Sequence, residues 1–169
     1  YKAYHMPGRF DAGFPAADLL GDMLGRSKSS RLYQRLLRDN PLFSSINAYI
    51  TASDEPGLLV VQGKLNEGVS LEEADAAVET LLQEFIDQLV PEEELAKVKN
   101  QAEATLAFSE VELLNRAMNL AVAANVGDPD LVNKEAELMQ AVTVNDVQAI
   151  ARQILRKDNC STLYYRREN

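Results

Sequence analysis

The chain has 169 residues, of which 46% are hydrophobic and 25% charged, and its formal net charge is -9. A chain of this length buries roughly two-thirds of the surface it exposes when unfolded, so it can build one core without a disulfide or a metal. The composition excludes a disordered chain, and no apolar run approaches the roughly 20 residues needed to span a bilayer.

The charge is unevenly spread: residues 1 to 66 hold 8 basic and 6 acidic side chains, residues 67 to 112 hold 2 and 13, and the remainder holds 7 and 7. A local net charge of -11 repels phosphate backbones, which excludes nucleic acid as a general partner. Tyr1 is no initiator methionine, and the residues after it have neither the basic start nor the apolar run of a signal peptide. The chain, residues 1–169, therefore reads as a single domain cut from a longer protein.

"YKAYHM" alternates apolar and polar residues before Pro7 and Gly8, which predicts a strand over residues 2 to 6. Pro15 then starts a helix with Leu19, Leu20, Met23 and Leu24 on one side, ending near Gly25. A second short helix runs from about Ser29 to Arg38 with Leu32, Leu36 and Leu37 as its stripe and serines available as caps. "LFSSINAYITA" and "GLLVVQGKL", joined by "SDEPG", predict a β-meander over 42 to 65.

From Val69 the period changes to that of a helix, with "SLEE" as a capping box and Ala74, Val78, Leu81, Leu82, Phe85 and Leu89 as the buried stripe. Pro91 opens the next helix, whose acids favour its N-terminus, and the helical pattern continues to Gly127 with a bend near Ser109. A short helix over 130 to 140, a helix capped by Thr143 running through Leu155, and the strand "CSTLYYR" complete the chain. The order β-α-α-β-β-α-α-α-α-β predicts an α+β fold, a mostly antiparallel sheet of about four strands with helices packed on one face.

Few residues carry chemistry. His5 is the only histidine, so neither a helical zinc site nor a catalytic triad can be assembled from spacing, and Cys160 reads as a small buried side chain. The acidic pairs fall on solvated helix faces, and "GDMLGRSKSS" lacks the spacing of a phosphate loop. The stretch "SKSSRLYQRLLRDN" stands out, because Arg31, Arg35 and Arg38 share one helix face in an acidic chain. Planar guanidinium groups grip carboxylates or carbonyls, and pairing with the acidic block, for instance the helix from Ser70, is the leading reading.

"DLLGDMLG" followed by "SSRLYQRLLRD", then the meander, "SLEEADAAVETLL", "PEEELAKVKNQAEATL" and "AVTVNDVQAIARQIL", resembles the non-catalytic domain of the pitrilysin or insulinase family of zinc metallopeptidases. The processing peptidase subunits of mitochondria use the same kind of domain. The resemblance implies an α+β unit paired with a zinc-binding domain of the same chain, two such halves or homologous subunits closing like a clamshell around a peptide substrate. It implies zinc in the parent protein but none in this chain, which lacks the inverted His-x-x-Glu-His motif. The parent is then a zinc metalloendopeptidase, and this domain alone is inactive, with no catalytic residues and structural roles for Ser30 and Arg31. A scaffold domain of a degenerate peptidase is the alternative. Family members hold the substrate backbone with an Arg and a Tyr seven residues later. Arg38 matches the first, but Ser45, or Ser44 with a shorter turn, stands at the second, which favours the second domain of a zinc-bearing half. The resemblance is compatible with the bacterial periplasm and with the cytoplasm.

Overall fold

A computed structural model describes residues 1–51 and 53–166. Four strands, β1 (Lys2–Met6), β2 (Phe43–Thr51), β3 (Gly57–Leu65) and β4 (Cys160–Thr162), form an antiparallel sheet in the order β2-β3-β1-β4. Six α-helices accompany it: α1 (Phe14–Gly21), α2 (Leu71–Asp87), α3 (Glu92–Ser109), α4 (Leu113–Asn125), α5 (Leu131–Ala141) and α6 (Val144–Ile154). The fold class and the element order are those expected, with the helix predicted from Pro91 to Gly127 divided at Glu110–Glu112 into α3 and α4.

Strand alternation separates two faces. Tyr4, Met6, Ile46, Ala48, Leu59 and Val61 point to the helices and are buried, joined in one core by Leu19, Leu20, Leu81, Phe85, Val147 and Ile154. The opposite face carries Ser45, Asn47 and Tyr49 of β2 beside Lys64, Gln62 and Val60 of β3, with Ala3 and His5 of β1. Among the described residues no helix is packed on it, and His5 is exposed. Ala52, the last residue of the predicted strand over 42 to 52, lies outside the described residues, as do residues 167–169 of the predicted domain.

The helix begun at Pro15 widens to a π-helix over Asp22–Arg26, and the next helix is π-helical over Tyr33–Asp39. Gly25 in the first of these lies against β2 so closely that a Cβ would overlap the backbone nitrogen of Ala48. The cap readings fare unevenly. Ser70 Oγ accepts from the Glu73 amide at 3.1 Å, and Thr143 forms a full capping box with Asp146. No serine side chain caps the helix after Ser30, since Ser27 Oγ accepts from the Ser29 amide instead.

Three further expectations are corrected. Helix α2 stops at Asp87, so Leu89 lies beyond it and is 50% exposed, while Val90 takes the buried place. The last strand ends at Thr162, with Leu163 still exchanging backbone hydrogen bonds with Tyr1. Cys160 is only half-buried and packs at the core's edge.

Candidate functional site

The three arginines of the second helix share one side but meet different surroundings. Arg31 is 15% exposed and donates from Nε and Nη2 to the two carboxylate oxygens of Glu94 at 2.9 and 2.7 Å. Its guanidinium lies 4.2 Å from the centre of the Phe85 ring, and Glu84 lies 3.8 Å from Nη1. The fork, the aromatic face and the second carboxylate join this helix to α2 and α3 at once. Arg35, 49% exposed, donates to Glu84 at 2.6 Å. Arg38 donates to its neighbour Asp39 at 2.8 Å and is 61% exposed. Among the described residues, it is the one arginine of the three whose guanidinium is not taken up by the acidic helices.

Ser30 is buried at the foot of this helix, where its carbonyl accepts from the Gln34 amide and its hydroxyl has no partner among the described residues. Ser44 is the extra residue of a β-bulge between the Phe43–Leu65 and Ser45–Lys64 pairs, and its hydroxyl donates to the Lys64 carbonyl at 3.1 Å. Ser45 is exposed on the uncovered sheet face, which Asn47 and Tyr49 continue. The structure thus separates Ser44, whose hydroxyl is engaged, from Ser45, whose side chain is open to solvent.

Lys2 was not singled out by sequence, yet it is buried and bonded to Asp75 at 2.9 Å and Glu79 at 2.7 Å, joining β1 to α2. Burial pulls its ammonium pKa down, but the hydrogen bonds with Glu79 and Asp75 outweigh this and hold it above the ordinary value. Its signal was in the alternation, which puts Lys2 on the same face as Tyr4 and Met6. Asp18 on α1 is half-buried, and burial together with the charge of Asp22 pushes its carboxyl up to about 6 against the opposing pull of Arg26.

Among the described residues no three His, Cys, Asp or Glu side chains converge as metal ligands, so the donor set does not fit zinc. Nor is any helix there long and apolar enough to cross a membrane.

A sequence model described as the peptidase M16 inactive domain matches residues 1–102. The chain belongs to this family. As an M16 inactive domain it shares its fold with the structure of a protease from Helicobacter pylori, at 18% identity and a TM-score of 0.86 over 94% of this chain and 38% of that one. It is equally similar to the inactive peptidase domain of a candidate zinc protease from Bordetella parapertussis, at 22% identity and a TM-score of 0.85, covering 95% and 87% of the two chains. A chain of complex III2 from Candida albicans matches at 15% identity and a TM-score of 0.73 over 94% and 40%. No match is found among curated proteins. The M16 inactive domain therefore spans well under half of the Helicobacter protease chain and most of the Bordetella one.

Proposed function

We propose that this M16 inactive domain is one part of a longer zinc metalloendopeptidase, where it forms part of the wall of a substrate-enclosing chamber. The observation that carries the reading is the uncovered sheet face with Ser45, Asn47 and Tyr49, set in a domain whose other face is sealed by helices. An extended peptide is matched by such a surface of small polar groups and exposed tyrosine. The zinc-binding domain of the same chain supplies the metal, which activates water for hydrolysis, and a second half or homologous subunit closes the chamber. Within this domain Arg38, which is exposed and bonded to the neighbouring Asp39, can turn to hold substrate carbonyls or a carboxylate, with Ser45 as the open hydroxyl, since that of Ser44 already serves β3.

The test is Arg38→Ala in the full-length protein, measuring peptide cleavage and thermal stability together. Cleavage should fall with the melting temperature unchanged, and normal turnover in the stable variant would remove Arg38 from the substrate path. The fold shared with a chain of complex III2 supports a scaffold role as the second reading, and it would be favoured by a full-length protein that assembles but cleaves no peptide.

A further inference from the structure

The uncovered face of the sheet differs in charge from the rest of the chain. Every second residue of β1, β2 and β3 from Ala3, Ser45 and Leu58 onward stands on it, together with Ser161 of β4, and none is acidic although the chain holds 26 acidic side chains. Asp54 and Glu55 between β2 and β3, and Glu67 after β3, lie outside the strands. Lys64 is the one lysine or arginine on this face; it is exposed and, among the described residues, forms no ion pair. The acidic helices α2 and α3 pack on the sheet's other side, across the core. Physiological salt screens charge over about 8 Å, so a ligand on the uncovered face meets Lys64 rather than the chain's net negative charge.

The strand register arranges the face in rows. Ser45 stands beside Lys64, Asn47 beside Gln62, and Tyr49 beside Val60, which has Ala3 on its other side. The first row offers an ammonium and an open hydroxyl, and the second offers two amides that hydrogen-bond a peptide backbone. The third is an apolar platform, with Val60 and Ala3 beside a Tyr49 ring that is 44% exposed. Successive rows are two residues apart, roughly 6.7 Å along the strands, and a peptide extended in the same direction has the same repeat. Its alternate side chains therefore meet successive rows, and the side chain at Lys64 stands four residues from the one at Tyr49.

We infer that this face selects an extended peptide with an acidic side chain four residues from an apolar or aromatic one, the acid seated at Lys64 and Ser45 and the apolar group on Tyr49 and Val60. This rests on the reading above that the uncovered face meets the substrate. A basic side chain at the first position is repelled by Lys64, so the face discriminates by charge as well as by fit. Lys64 is thus a specificity residue.

The test uses the full-length protein and three labelled peptides of one length: one with Glu four residues from Phe, one with Lys in place of that Glu, and one with the Glu moved to two residues from the Phe. Cleavage gives kcat/KM, and fluorescence anisotropy in the cold gives Kd, in the wild type, Lys64→Glu and Lys64→Gln, with a melting temperature for each. The wild type should bind the first peptide about three- to fivefold more tightly than the other two, the range of an exposed ion pair. Lys64→Glu should invert the preference between Glu and Lys, Lys64→Gln should abolish it, and salt at about 0.5 M should shrink it. Equal affinities in the wild type would overturn the inference, as would a preference that survives in Lys64→Glu. Should Lys64→Glu lose stability, Lys64→Gln decides in its place. A protein that shows the Lys64-dependent preference but cleaves no peptide would overturn the peptidase reading and keep this inference; cleavage without the preference would do the reverse.

Discussion

Replacing Arg31 by alanine should be the costliest change in the basic helix. The substitution removes a two-pronged, half-buried ion pair with Glu94 and a guanidinium stacked 4.2 Å from the Phe85 ring. Hydrogen bonds to charged groups contribute about 1.5–3 kcal/mol, and a cation over an aromatic face adds about 0.5–1 kcal/mol. The loss should therefore be about 2–4 kcal/mol, which for a domain of this size lowers the melting temperature by about 5–15 °C. Arg35→Ala is the internal control, since its pair with Glu84 is half in solvent and is worth under about 1 kcal/mol. The assay is urea unfolding followed by far-UV circular dichroism on both variants, with Glu94→Gln completing a double-mutant cycle against Arg31→Ala. A loss at Arg31 no larger than that at Arg35, or no coupling between Arg31 and Glu94, would refute the assignment of the helix's attachment to this one arginine.

Asp18 gives a pH-dependent prediction. Its folded carboxyl titrates near 6, above the ordinary 3.8, so the native state binds the proton more tightly than the unfolded chain and stability contributed here falls as pH rises through that interval. Asp18→Asn should stabilise the protein by about 1–2 kcal/mol at pH 7.5 and leave it unchanged near pH 3.5, read as melting temperature against pH; a variant less stable at pH 7.5 would contradict this. The turn from α3 into α4 exposes Phe108, Val111, Leu113 and Leu114 at 78%, 80%, 81% and 68%. Leu113→Lys together with Leu114→Lys should shift stability by no more than about 0.5 kcal/mol while reducing binding of a hydrophobic dye, and a large destabilisation would show that these leucines are packed.

Strands and helices were legible where one face had to be buried. The period of two in "YKAYHM" and of 3.6 after Val69 mark surfaces that the core consumes, and Pro15, Ser70, Pro91 and Thr143 mark where the backbone must begin a helix. What pattern alone could not supply was anything dependent on a partner distant in sequence. "CSTLYYR" alternates well enough for a strand, but Tyr164 to Arg166 have no neighbouring strand and take no ladder. Leu89 fits the helical stripe of α2, yet the helix ends two residues before it. The widening at Asp22–Arg26 has no periodic signature; Gly25 marked it only as a helix end, whereas its role is to let the backbone touch Ala48. The acidic and basic counts announced that ion pairs were available without saying which, because Glu84 and Glu94 sit on different helices that only tertiary packing brings to one guanidinium.

That convergence also accounts for the charge asymmetry. Of the thirteen acidic side chains between 67 and 112, five meet basic groups from outside the block among the described residues: Glu72 with Arg166, Asp75 and Glu79 with Lys2, Glu84 with Arg35 and Arg31, and Glu94 with Arg31. Four of these five lie on α2, which has no basic side chain of its own and so depends on neighbours for neutralisation. The neighbours are the first strand, the basic helix and the C-terminal segment, so the acidic helix acts as a hub for three elements far apart in sequence. Arg38 lies outside that arrangement, one turn beyond Arg35 and past the reach of Glu84. Its exposure follows from the same geometry that employs the other two, and the guanidinium is left to pair with its exposed neighbour Asp39 instead of joining helices, so its removal should cost the fold little.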